Sequence, residues 1–410
     1  MYNPLFLGLT HIGQVFSLGW AKKVGRCSVY DFNLERLKNF ELNNFTDQEI
    51  SLKKFKNSKR IQIIKKDKIK HFKVIFFTVD TELNNVTGEP ILENIERYYK
   101  ELASINFKRK VKVFFTSQVP IGFTNKLKNK FFNSNIELIY LVDTLQMGSA
   151  LNKFLHPPYL TFGCDNKLKK FLNNLFKKFK CKKYILNTEE AEYLKMSTNM
   201  YLFFNVSLAN LLDHFSRKNN LSFSRITNIM KNDIRIGQKA YINPSIAISG
   251  GHLERDCFYF KQFSNYLEKN IINSLLNFNE KRKKDLLNEI LMIKKKYKKL
   301  NLLIVGISYK KNSFSMVNSI FKYIFKSKKI NSFYYDDFFS KRISKNIKRL
   351  HEINDLKKFD CVIFNYGNIN IQKKIYKLNN NKKIKILNIS DVPYKNFKIK
   401  KYFSPPAKHI

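Results

Sequence analysis

Glycines at positions 8 and 13 and an aspartate at 31 carry the first chemistry legible in the chain. The glycines bound the turn Gly8-Leu-Thr-His-Ile-Gly13 after a short apolar run, Leu5-Phe6-Leu7, and the aspartate ends a second apolar run, Cys27 to Tyr30. This spacing suits a dinucleotide. Glycines let the backbone turn tightly and approach a pyrophosphate at a helix N-terminus, and an acid about 20 residues on takes the ribose hydroxyls. Gly8, Gly13 and Asp31 fill the first, third and acidic positions, while Thr10 stands where the middle glycine belongs. Its Cβ crowds a pyrophosphate, although its hydroxyl can donate to one. Gly8, Thr10, Ile12, Gly13 and Asp31 are the candidate cofactor-binding set, and a structural βαβ turn without cofactor is the competing reading.

Such a turn works only between a strand and a helix. A helical pattern follows from Gln14 to Val24, and strand-like runs recur at Val74 to Val79, Val111 to Thr116 and Leu138 to Val142, separated by helical patterns such as Leu92 to Ala103. Strands alternating with helices imply an α/β fold with a doubly wound parallel sheet, an N-terminal Rossmann-type domain over 1–187. From about Glu189 the period changes: Ala191 to Phe215 has no Gly or Pro and carries apolar residues at helical spacing. Further helices are expected at Phe223 to Lys231 and Phe263 to Lys299, making 188–300 an all-helical central domain. Its charged end, Glu280 to Lys299, reads as a solvated helix linking two bodies. After Leu300 the alternation returns, with a strand and turn at Leu302 to Ile307, a helix at Met316 to Phe325, and strands at Ser332 to Tyr335 and Phe359 to Phe364. A second, smaller α/β domain is expected over 301–410.

The 410 residues include 76 Lys+Arg against 32 Asp+Glu, a formal net charge of +44, with 44% hydrophobic and 15% aromatic residues. That apolar content excludes a disordered polyelectrolyte, which buries too little surface to offset chain entropy. The charge suits nucleic acid or an anionic membrane through counterion release. Yet the lysines are spread over the whole chain among abundant Asn, Ile and Phe, as codon bias in an AT-rich genome produces, and Arg is scarce. We read the charge as compositional. Five scattered cysteines (Cys27, Cys164, Cys181, Cys257 and Cys361) with no C-x-x-C pair argue against a disulfide framework and a structural zinc site, and no metal is expected. No run reaches the 18 apolar residues of a membrane span, and Pro4 to Ala21 lacks a basic leader and is broken by Thr10, His11 and Gln14. A cytoplasmic protein is expected.

Seven further segments follow in order. Val79-Asp-Thr81 is similar to V-P-T, Ser117-Gln-Val-Pro-Ile-Gly122 to S-T-V-P-x-G, and Leu145-Gln-Met-Gly-Ser-Ala150 to L-R-E-G-S-A. Glu190-Ala-Glu-Tyr-Leu-Lys195-Met-Ser-Thr-Asn199 is similar to E-A-E-x-x-K-x-x-x-N, and Asp233-Ile-Arg-Ile-Gly237 to D-P-R-I-G. Asn243-Pro-Ser…Gly250…Asp256 is similar to N-P-x-x-G-x-G-G-x-C-x-P-K-D, and Ile304-Val-Gly-Ile-Ser-Tyr-Lys310-Lys-Asn312 to V-x-G-L-A-F-K-x-N. Through nearly its whole length the chain thus resembles the UDP-glucose/GDP-mannose 6-dehydrogenases.

The resemblance implies an NAD domain, a helical core forming a homodimer, and a C-terminal nucleotide-sugar domain. It implies that the primary alcohol at C6 of a nucleotide-sugar is oxidised twice by NAD, first to an aldehyde and then, through a cysteine thiohemiacetal and thioester, to a carboxylate for surface polysaccharide. Val79, Thr81 and Ser117 would join the cofactor site, and Asn243, Gly250 and Lys310 would hold the substrate. Lys195 and Asn199, four residues apart on one helical face, would stabilise an oxyanion, and Asp256, assisted by Asp143, would activate water.

Departures from the pattern fall on the same chemistry. Ungapped counting from Asn243 to Asp256 puts His252 at the thiol nucleophile's position, and gapped counting puts Leu253 there. Cys257, one step past Asp256, should point elsewhere and is read as buried and inert. Gln118 replaces a Thr, Asp143 and Met147 replace Glu, Val317 replaces an Arg expected to pair with the nucleotide-sugar, and Ala247 and Ser249 replace glycines. Without the thiol three outcomes stay open: a single oxidation to aldehyde, oxidation of the aldehyde hydrate with His252 as general base, or a non-catalytic nucleotide-binding scaffold. The dehydrogenase-like enzyme is the reading we carry forward.

Overall fold

The computed structural model describes residues 2–46, 49, 51–52, 59–84, 88–293, 299–308, 316–337, 343–344, 346–365, 369–379, 384–389 and 400–401. The chain divides into two compact units, 1–199 with 258–263 and 200–257 with 264–410.

The first unit is built on one eight-stranded sheet. Its strands are β1 (Leu5–Leu7), β2 (Cys27–Tyr30), β3 (Ile61–Ile63), β4 (Val74–Phe77), β7 (Val111–Phe115), β8 (Ile136–Leu141), β9 (Tyr159–Gly163) and β10 (Lys182–Leu186), while β5 (Glu82–Leu83) and β6 (Pro90–Ile91) form a separate antiparallel pair. The order is β10-β9-β8-β7-β4-β1-β2-β3. Growth reverses between β1 and β4, which is the switch point of a doubly wound sheet and the place where ligands bind at the carboxyl ends of the strands. Phe6 lies opposite Phe76 and Leu7 opposite Phe77 in parallel register, and only the β8–β9 pair is antiparallel.

Strands β1, β2 and β4 are buried throughout, which is why their sequences run continuously apolar instead of alternating. Successive side chains still point to opposite faces. Phe6, Phe76 and Phe114 stack on one face with centroids 4.7 Å apart, and Phe77 stacks on Phe115 at 5.0 Å on the other. Helix α1 (His11–Lys23) lies against the first set through Trp20. It starts three residues earlier than Gln14 because Gly13 has no side chain to keep it off the strand: a Cβ there would stand 1.8 Å from the Gly8 carbonyl oxygen. Six more helices follow in this part of the chain: α2 (Leu34–Glu41), α3 (Glu93–Ala103), α4 (Phe123–Lys130), α5 (Ala150–Leu155), α6 (Lys169–Leu175) and α7 (Thr188–Lys218).

The second unit carries the end of α7, then α8 (Phe223–Met230), the start of α9 (His252–Phe263) and α10 (Tyr266–Met292). Its six-stranded parallel sheet has the order β13-β12-β11-β14-β15-β16, from β11 (Leu300–Val305), β12 (Ile330–Tyr335), β13 (Ile347–Arg349), β14 (Cys361–Phe364), β15 (Lys385–Asn388) and β16 (Lys400–Lys401), with helices α11 (Lys322–Lys326) and α12 (Ile369–Leu378).

Three local expectations are corrected here. The helix expected from Phe263 is interrupted at Ser264-Asn265, because Asn265 and Glu268 form a reciprocal capping box that starts a new helix. The charged stretch from Glu280 is not a solvated face: Arg282 and Lys283 are buried together with Leu286 and Ile290. The helix expected over Met316 to Phe325 shrinks to α11, since Asn318 takes φ +50°, a left-handed conformation no helix can contain. No described helix is long and apolar enough to cross a membrane, and no group of His, Cys, Asp and Glu among the described residues could hold a metal ion.

Candidate active site

The turn after β1 and the loop after β4 meet at the switch point. Gly8 has φ +98°, and a Cβ on it would lie 2.6 Å from Val79 Cγ2. Asp31, at the end of β2, is fully buried; its Oδ2 accepts from Leu9 N at 2.6 Å and its Oδ1 accepts from Asn33 N at 2.7 Å and the Tyr98 hydroxyl at 2.5 Å. Burial and the neighbouring Asp31 carboxylate push the Tyr98 phenol well above its ordinary range, so it stays a donor. The Thr10 hydroxyl donates to the Thr78 carbonyl at 2.8 Å and accepts from Asp80 N at 3.0 Å. The group expected to reach a pyrophosphate is therefore engaged across the switch point. Ile12 N donates to Asp80 Oδ2 at 3.3 Å. Ser117 Oγ donates to the buried Val79 carbonyl at 2.6 Å, and Thr81 Oγ1 donates to the Gln118 carbonyl, tying the loops after β4 and β7 together.

Helix α7 brings in the basic group. Asn187 and Glu190 fix its start by exchanging backbone-to-side-chain bonds of 2.8 and 3.1 Å. Buried Glu192 accepts from Gly122 N at 2.6 Å, Thr124 N at 2.9 Å and Thr124 Oγ1 at 2.5 Å. It thus caps α4 and sets the rotation of α7, even though burial pushes its carboxyl above the usual value against the pull of those donors. Three residues on, the same face carries Lys195, whose Nζ donates to the Asp143 carbonyl at 2.7 Å and lies 3.6 Å from Asp143 Oδ2. The two side chains are only 11% and 13% exposed. Asp143 is held in turn, its Oδ1 accepting from Leu145 N at 2.7 Å in the loop after β8. Asn199, one further turn along α7, is also buried. An ammonium oriented in this way, away from bulk water, is placed to stabilise an alkoxide or oxyanion.

The second unit holds the remaining candidates. Gly250 and Gly251 take φ +97° and +83°, and Gly250 N donates to the carbonyl of Val317 at 2.9 Å. His252 opens α9 half-buried, and Asp256, one turn later, is fully buried with Arg255 Nε 3.6 Å from its Oδ1. Cys257 is fully buried, as expected for the step past Asp256. Burial raises the thiols of Cys27 and Cys361 to about 12 and that of Cys164 to about 11, far from nucleophilic at neutral pH. Glu254, between His252 and Asp256, accepts from Asn318 Nδ2 at 2.7 Å and lies 3.9 Å from Lys283 Nζ. Lys283 donates to Glu280 at 2.9 Å, and Glu280 also takes Lys322 at 2.5 Å and the Tyr323 hydroxyl at 2.7 Å. Asn243 is exposed and accepts from Lys231 Nζ at 2.9 Å. Lys310 lies outside the described residues.

Residues 189–281 match the central domain of the UDP-glucose/GDP-mannose dehydrogenase family. A UDP-glucose 6-dehydrogenase of Campylobacter jejuni is 34% identical over 232 residues, which is 55% of this chain and 56% of that protein. The match to the family model is confined to the central segment 189–281. The chain spans about half the length of the curated relatives it matches. Among solved structures, a UDP-glucose dehydrogenase from Pyrobaculum islandicum superposes with a TM-score of 0.83 at 18% identity, covering 98% of this chain and 96% of that one. A UDP-D-ManNAc dehydrogenase from Pyrococcus horikoshii gives 0.75 at 17% identity, covering 97% and 98%. Both show the α/β fold expected from the sequence.

The backbone at the switch point has the features of a dinucleotide-binding turn. Gly8 supplies the left-handed turn, Gly13 the close approach of α1 to β1, and Asp31 the acid that orders the turn. Sequence reasoning missed Asp80, Tyr98 and Glu192 as site-shaping groups, and the Glu254–Lys283–Glu280 cluster entirely. Glu192 stood inside the quoted E-A-E motif, and its periodic placement one turn before Lys195 was the available signal.

Proposed function

We propose that the chain is an oxidoreductase acting on C6 of a nucleotide-sugar with NAD as acceptor, serving surface-polysaccharide precursor synthesis in the cytoplasm. The observation that carries the reading is Lys195, an amine kept inside the protein by Asp143 at the carboxyl edge of a switch-point sheet. Bound NAD would supply the hydride acceptor. The chain's own groups would do the rest. Lys195 would neutralise the oxygen at C6 as its proton departs, Asp143 would keep the ammonium aimed, and Asn199 would donate its amide to the same oxygen. In the second unit, the resemblance gives Asp256, with a water, the part of proton acceptor.

His252 stands where a thiol would capture the aldehyde, so covalent thioester chemistry is unavailable and the product we assign is the aldehyde. Mass analysis of the product after incubation with NAD and a panel of UDP- and GDP-sugars tests this. A loss of two mass units is expected. A gain of fourteen, for the acid, would show a second oxidation, and His252→Ala would then report whether the imidazole serves as base. Unchanged sugar, with ligand still bound, would favour the non-catalytic scaffold.

The same reading includes a homodimer through the helical region. Tyr201, Phe204, Leu208, Leu211 and Phe215 recur at intervals of three and four on α7, and all are exposed, from 38% to 71%. A stripe of that period is the seam of a helix–helix contact, and a second copy supplies the matching face.

A further inference from the structure

Helix α1 has no acidic residue in its first turn, and the side chain of its N-cap, Thr10, makes no capping bond. The first amides of a helix have no intrahelical partner and attract negative charge. Here that charge comes from 68 residues away: Asp80 Oδ2 accepts from Ile12 N at 3.3 Å. The placement is built, since Asp80 N donates to Thr10 Oγ1 at 3.0 Å and Thr10 Oγ1 donates to Thr78 O at 2.8 Å. Thr10 therefore fastens the loop after β4 over the end of α1, at the switch point, and turns the Asp80 carboxylate onto the helix.

A dinucleotide pyrophosphate in this crevice needs the same amides. We propose that Asp80 is a specificity-determining residue that competes with the ligand's phosphates for the N-terminus of α1, so that phosphate-bearing ligands enter only by displacing it. The proposal rests on the reading that this crevice takes a dinucleotide. It differs from a simple capping role, because the carboxylate would then lower affinity for NAD and for ADP while leaving adenosine, which carries no phosphate, unaffected.

The test is calorimetric titration of the full chain with NAD, ADP and adenosine, for the wild type, Asp80→Asn and Asp80→Glu. Removing one competing charge-assisted hydrogen bond is worth about tenfold in affinity. Asp80→Asn should bind NAD and ADP about tenfold tighter with adenosine unchanged, and Asp80→Glu, which keeps the charge, should stay close to the wild type. Unchanged or weaker NAD and ADP binding by Asp80→Asn would overturn the proposal and leave the dinucleotide reading standing, as would equal tightening for adenosine. Binding of neither NAD nor ADP by any of the three proteins would remove the proposal and that reading together.

Discussion

Glu280→Gln should destabilise the second unit by about 3 kcal/mol at neutral pH. Burial alone would raise the Glu280 carboxyl, but Lys283 foremost, then Lys322 and the Tyr323 hydroxyl, hold it down to about 2 from 4.5. A difference of about 2.5 units at about 1.4 kcal/mol per unit gives roughly 3 kcal/mol as an order of magnitude. Because the folded value is depressed, this stability is present above the unfolded value near 4.5 and is lost as pH falls through about 2. Among the described residues, the substitution also leaves the fully buried Lys283 with Glu254, 3.9 Å away, as its remaining ion-pair partner, and that ammonium is already pushed below its ordinary pKa by burial. Urea unfolding of wild type and variant across pH 7 to 2.5, followed by circular dichroism, should show the gap at pH 7 narrowing steadily below pH 4.5. A gap under about 0.5 kcal/mol at pH 7, the size of an ordinary surface change, would refute the reasoning, as would a gap that ignores pH.

Lys195→Met should lower the rate of NAD reduction by at least about a hundredfold, the usual effect of removing one oxyanion-stabilising donor, with the thermal midpoint little changed; a midpoint drop of many degrees would mean Lys195 is structural. Leu208→Glu combined with Leu211→Lys should convert a dimer into a monomer by light scattering, and a wild type that is already monomeric would remove the seam. Iodoacetamide at neutral pH should leave activity intact, because burial raises Cys27 and Cys361 to about 12; inactivation accompanied by labelling of Cys257 would restore a thiol mechanism.

Five of the eight strands in the first sheet, β1, β2, β4, β7 and β8, were legible because their signals are short-range, whereas β3, β9 and β10 were not expected. Gly8, Gly13 and Asp31 declare a strand, a turn and a helix within 24 residues, and the apolar runs around Phe6, Phe76 and Phe114 are long enough to be strands and nothing else. What was not legible depends on partners distant in sequence. Asp80 looked like an exchange within a V-P-T segment until its carboxylate was seen on Ile12 N, 68 residues away. Thr10 was expected to face a ligand, and only the position of Thr78 explains why its hydroxyl does not. Lys283 sits in a charged run that reads as a solvated face, and its burial is possible only because Glu280, one turn before, and Glu254, on α9, compensate it. Cys257 illustrates the reverse case: it was expected to be a buried, inert cysteine, and it is fully buried, as is its neighbour Asp256.

The most direct measurement is deuterium transfer. Nucleotide-sugars carrying deuterium at C6 would be incubated with the protein and NAD, and the reduced dinucleotide recovered for mass analysis. The account predicts one deuterium in each NADH formed, abolished by Lys195→Met. Reduced dinucleotide without deuterium, or no reduced dinucleotide from any UDP- or GDP-sugar despite measurable binding, would contradict it.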